Sequence, residues 1–93
     1  MQILMKLIEF SQHALDQLAD RGATKGEVVR AIELGEAVPA KKGRTAFRKN
    51  FTFESKWKGK FYEVKQVMPI VVEENNKYVV ITVFTYYFGG ESK

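Results

Sequence analysis

The chain has 93 residues, no cysteine, one histidine, and 15 Lys and Arg against 11 Asp and Glu, a formal charge of +4. With 45% hydrophobic residues this suffices for one packed core and not two, so a single domain over residues 1–93 is expected, with a frayed tail over 89–93. The missing cysteines exclude disulfides, thiolate metal sites and thiol nucleophiles, and the lone histidine excludes an imidazole cluster, so neither a metal nor another cofactor is expected.

Met1 to Phe10 is apolar but broken by Gln2, Lys6 and Glu9, lacks a small-residue cleavage site, and precedes no apolar run of about 18 residues. A cytoplasmic protein without a membrane segment is expected. Within this stretch Ile3 to Ile8 fits a short opening strand or an irregular lead-in. Ser11 is then a good N-cap and Gly22 a left-handed stop, which predicts a helix from Gln12 to Arg21. At about 100° per residue Ala14, Leu15, Leu18 and Ala19 form its apolar arc, while Gln17, Asp20 and Arg21 fall nearer His13 on the outer side. Thr24 with Glu27 three residues on is a capping box, and Val28, Val29, Ile32 and Leu34 follow at helical spacing up to Gly35. A second helix, Lys25 to Leu34, closes a helical hairpin.

Glu36 to Gly43 is polar and punctuated by Pro39 and Gly43, which reads as a loop delivering Arg44 to a sheet edge. Thr45 to Glu54 alternates, Phe47, Phe51 and Phe53 against Arg48, Asn50 and Thr52, as a half-buried strand does. Trp57-Lys58-Gly59 turns the chain into one long strand, Lys60 to Glu74, with Pro69 favouring a bulge or an edge position. Asn75-Asn76 is hairpin chemistry, and Tyr78 to Tyr87 is the last strand, with Val79, Ile81 and Val83 on one side and Tyr78, Val80, Thr82, Phe84 and Tyr86 on the other. The fold class is α+β, an N-terminal helical hairpin packed on a twisted antiparallel sheet of three to four strands. Its other face, holding Arg48, Thr52, Thr82 and Tyr86, is partly open.

Charge is polarised along the chain. Lys41 to Lys60 carries eight cations against Glu54 alone, a net +7 that leaves −3 for the rest. Such a block suits a polyanion, and equally it is how lysine-rich edge strands resist aggregation.

Ser11-x-His13-Ala14, Arg21-Gly22-x-Thr24-x-x-Glu27-Val28 and the late strand Val80-Ile81-Thr82-Val83-Phe84 together resemble the bacterial domain-of-unknown-function family 4258, over Phe10 to about Tyr87. That family is similar to the RelE-like and barnase-like group of small ribonuclease folds, many of whose members are toxins that cut RNA without a metal. The resemblance implies a functional helix histidine at His13, a helix-end arginine at Arg21 and a last-strand threonine at Thr82 that orients rather than reacts. It also implies RNA as substrate and an antitoxin protein as partner. Ala23 stands where the family carries a larger aliphatic residue, and Phe84 where a tyrosine is often found, leaving Tyr86 or Tyr87 to supply that hydroxyl.

The residues themselves fit parts of this chemistry. Metal-free RNA cleavage needs a base for the 2′-hydroxyl, an acid for the leaving oxygen, and cations around the phosphorus. His13 near a helix N-terminus suits a base, Tyr86 or Lys49 suits an acid, and Arg21, Arg44, Arg48 and Lys49 suit phosphate. Trp57, between Lys56 and Lys58, suits base stacking. Each has an ordinary alternative: a surface or capping histidine, an arginine on the last helix carbonyls, a tryptophan packed in a turn. Beside the ribonuclease stand a non-catalytic RNA-binding or protein-interaction module, and a homodimer joined through the apolar last strand.

Overall fold

The computed structural model describes residues 6–90. Local signals decide the helices. The Ala14 N–H donates to the Ser11 hydroxyl at 3.0 Å, and α1 (Gln12–Arg21) ends on Gly22 at φ 73°. α2 (Lys25–Leu34) opens with the reciprocal box: the Glu27 N–H donates to the Thr24 hydroxyl at 3.0 Å and the Thr24 N–H to the Glu27 carboxylate at 3.1 Å. It stops at Gly35, where any side chain would run into the carbonyls of Ala31 and Arg48. Both helices cover the residues that the capping signals predict.

The strands are β1 (Leu7–Phe10), β2 (Glu36–Pro39), β3 (Thr45–Trp57), β4 (Lys60–Glu74) and β5 (Lys77–Phe88), in the order β1-β5-β4-β3-β2. β1 runs parallel to β5 and every other pair is antiparallel, so the class is α+β but the sheet among the described residues is mixed and five-stranded, not three to four strands. Two short edge strands account for the difference. The stretch expected as a loop pairs Glu36 to Pro39 with Thr45 to Arg48, Pro39 being tolerated because it ends an edge strand, and only the single 3-10 turn Lys41–Gly43 remains as a connection. β1 pairs Leu7 with Lys77, a partner 70 positions away that no local pattern announces, and residues 3–5 of the expected lead-in lie outside the described residues. β3 continues past Glu54 because a register shift between Thr52 and Ser55, with Glu54 at φ 43°, bends the strand without ending it.

Pro69 sits in β4, a central strand, rather than at an edge. The β3–β4 pairing skips Phe47 and Arg48, opposite Pro69 and Met68, which is the gap that a proline without an N–H leaves in the ladder, and a register shift to β5 follows between Ile70 and Val71. That shift leaves Ile81 unpaired and reverses the alternation of β5. Tyr78 and Val80 therefore share a face with Val83, Thr85 and Tyr87, while Val79 joins Thr82, Phe84 and Tyr86, contrary to the unbroken alternation expected.

The core lies between the helices and the first of these faces. Val28, Val67, Val71, Val80 and Val83 are fully buried, each contributing roughly 1.5–3 kcal/mol, and Ala14, Ala23, Ile32 and Phe47 fill in around them. α1 lies against β5, and α2 against β3 and β4. Gln17, placed on the outer side by the helical wheel, is buried instead: its amide oxygen accepts the Val83 N–H at 2.8 Å, where β5 has run beyond β1 and has no strand on that side. β4, 15 residues at about 3.3 Å each, matches the 48 Å long axis.

Candidate functional site

The C-terminus of α1 meets the tip of the β3–β4 hairpin, and the last carbonyls of the helix set the geometry there. A helix end leaves carbonyls unpaired, and here side chains from the sheet supply donors. Thr85 Oγ1 and Tyr87 Oη both donate to the Arg21 carbonyl, at 2.7 and 2.8 Å, and Lys65 Nζ donates to the Gly22 carbonyl at 2.8 Å. Lys65 is 6% exposed, and its charge is met by the Glu27 carboxylate at 2.9 Å. Gly22 is needed for two reasons: its φ is left-handed, and a Cβ would strike the Tyr87 hydroxyl and the Trp57 ring.

Tyr87 is the hub of an aromatic group. Trp57 stacks on it with ring centroids 5.2 Å apart and planes 15° from parallel, and Phe53 and Tyr62 lie at 5.3 and 5.5 Å. The hairpin turn holds Lys58 at φ 54° and Gly59 at φ 85°, which sets Trp57 opposite Lys60 and leaves the Lys58 ammonium over the indole at 5.4 Å. Burial pushes the Tyr87 phenol above its ordinary value; the neighbouring Thr85 hydroxyl opposes this, and the Glu27 carboxylate adds to it. At neutral pH Tyr87 is a neutral donor.

Beside this group lies an open cleft of about 610 Å³. α1 contributes Ala19, Asp20 and Arg21, the hairpin Trp57 and Lys58, and β5 Thr85 and Tyr87. Of the residues expected at a site, Arg21, Trp57 and Tyr87, one of the two tyrosines expected to supply a hydroxyl, are here, Arg21 with its guanidinium also over the Phe84 ring at 5.3 Å. The others lie elsewhere. His13 is exposed in the first turn of α1, eight residues from Arg21, about 12 Å along the helix. Thr82 and Tyr86 are on the sheet face away from Thr85 and Tyr87, Tyr86 being 45% exposed and near Phe84 at 6.5 Å. Arg48 pairs with Glu36 at 3.0 Å, Lys49 leans over Phe51 at 5.5 Å, and Arg44 is exposed just after the 3-10 turn.

The cationic block is likewise divided. Lys41, Lys42 and Arg44 precede β3 while Lys56, Lys58 and Lys60 surround its far end, about 40 Å away along 13 extended residues. Of the second group Lys58 lines the cleft and Lys60 shares the Trp57 face of the hairpin, while Lys56 lies on the other face. Sequence reasoning passed over Asp20, Lys58, Lys65 and Thr85. Lys65 does carry a signal, a lone charge within the β-forming run Val64 to Val67, whereas the choice of Tyr87 over Tyr86, and with it Thr85, is hidden by the register shift at Ile81.

Among the described residues no group of three or more His, Asp or Glu is placed to hold a metal, and no helix is long and apolar enough to cross a membrane. Comparison with known proteins finds no family model, no curated protein and no solved structure that matches the chain.

Proposed function

We propose that the protein binds single-stranded RNA at the cleft between the end of α1 and the β3–β4 hairpin. The observation that carries this reading is the Trp57–Tyr87 stack flanked by Arg21 and Lys58. Single strands bind where an aromatic plane accepts a base and cations follow the phosphates, and the two have to be adjacent for one nucleotide to use both. Lys60, opposite Trp57 in the register, extends the positive rim on the exposed hairpin. A cytoplasmic location goes with such a ligand.

A second reading makes the same protein a metal-independent, toxin-like ribonuclease of the RelE type, held in check by an antitoxin. It rests on the resemblance of the Ser11-x-His13-Ala14 helix and on the exposure of His13, with His13 as base, Tyr86 as acid and Thr82 orienting. RNA anchored at Arg21 would have to follow the outer face of α1 to reach His13. A homodimer through β5 has less of that strand to use, since residues 77–80 are paired with β1 and the Val83 N–H is taken by Gln17.

Fluorescence anisotropy with labelled single-stranded RNA tests the first reading. Salt-dependent affinity should fall about tenfold or more in Trp57→Ala and in Lys58→Glu, the second being an exposed turn residue whose replacement spares the core. Unchanged affinity in both variants, or none in the wild type, sinks it. Gel analysis of RNA integrity separates the second: fragmentation by wild type that disappears in His13→Ala supports a ribonuclease, and intact RNA with the wild type removes it.

A further inference from the structure

The polar groups around the cleft are unevenly committed. The hydroxyl protons of Thr85 and Tyr87 are both spent on the Arg21 carbonyl, so these residues keep only lone pairs for a ligand. Arg21 and Lys58 bring positive donors. Asp20 lines the same cleft and takes part in none of the ion pairs among the described residues, although the two cations are its neighbours there. It also stands in the last turn of α1, where the helix dipole is negative. The cleft therefore combines a stacking surface, cations for a phosphate, and one acceptor-rich wall.

Building on the RNA-binding reading above, we infer that Asp20 makes this cleft favour bases carrying an exocyclic amino group over uracil. Stacking on Trp57 does not discriminate, because every base has a π-face. Discrimination has to come from the base edge. An ionised carboxylate is an acceptor only, and an exocyclic amino group meets it with N–H donors. The pairing edge of uracil offers one N–H between two carbonyl oxygens, which a carboxylate approaches against repulsion. The lone pairs of Thr85 and Tyr87 act in the same sense, and no free hydroxyl proton in the wall compensates uracil.

Oligocytidylate and oligouridylate of equal length form the cleanest pair, since both are pyrimidine strands with the same backbone charge. Anisotropy at constant salt should give the wild type about fivefold or greater preference for oligocytidylate, the low end of what one good edge contact provides. In Asp20→Asn and in Asp20→Ala the ratio should fall towards one, with oligouridylate bound somewhat more tightly because a negative charge has left the phosphate path. Asp20 is exposed, so neither replacement touches the core. Equal affinities in the wild type, or a ratio that survives both replacements, overturn the inference while leaving RNA binding standing. If neither strand binds, the RNA reading falls and the inference with it.

Discussion

Gly22 joins the backbone of α1 to the aromatic group, so its replacement reports on both. Alanine there has to hold φ near 73° and push the Tyr87 hydroxyl and the Trp57 ring aside. Gly22→Ala should lose about 2–3 kcal/mol, the left-handed strain plus overpacking, read from urea unfolding. Trp57 is the only tryptophan, so its fluorescence should shift at the same time. Tyr87 makes a prediction about pH. Its phenol is raised above the ordinary 10.0 mainly by burial, so the neutral form is favoured by folding. That stability is fully present below pH 10 and is lost as pH rises through the higher folded value. Denaturation midpoints of the wild type should thus decline in alkali, and Tyr87→Phe, weaker at neutral pH for want of its bond to Arg21, should decline less. Little of this was legible in the sequence: Gly22 announces a helix stop through its residue type alone, but the groups that crowd it come from strands 35 and 65 positions away.

At the scale of the element, Glu27 does two things. One carboxylate oxygen accepts the Thr24 N–H and the other meets Lys65. Thr24→Ala removes half of a cap and should cost about 1 kcal/mol. Glu27→Ala removes the other half and also strands a buried ammonium with only the Gly22 carbonyl, and should cost about 3–5 kcal/mol. The double replacement Glu27→Gln with Lys65→Met, which restores neutrality and volume, should recover most of that difference in urea midpoints. The capping box is visible in four consecutive residues. Its second use is not, because Lys65 reaches it from the centre of the sheet.

For the whole molecule the arrangement of charge matters more than its sum. The two halves of the cationic block stand at opposite ends of β3, so a ligand in the cleft meets Arg21 and Lys58, with Lys60 beside them, and not Lys41, Lys42 and Arg44. If RNA binds there as proposed, the salt dependence of its affinity should correspond to about three phosphates, a slope of log K against log salt near −2 for a single strand. Replacing Lys41, Lys42 and Arg44 together by alanine should leave that slope unchanged, whereas replacing Lys56, Lys58 and Lys60 should lower it by about 1.4. A slope shared equally between the two triple variants would place the RNA along β3 instead.

By itself the sequence determined the two helices to the residue, the turns at Lys58-Gly59 and Asn75-Asn76, and the unbroken run of β4, all of which depend on neighbours within a few positions. Only the tertiary structure decided that Glu36 to Pro39 and Leu7 to Phe10 become edge strands, and that the extra residue at Ile81 turns Thr85 and Tyr87 towards α1 and Tyr86 away. The physical reason is the same in each case. Caps and turns are satisfied by hydrogen bonds that close locally, whereas pairing and register are chosen by which distant strand buries a face, and one inserted residue exchanges the two faces of everything after it.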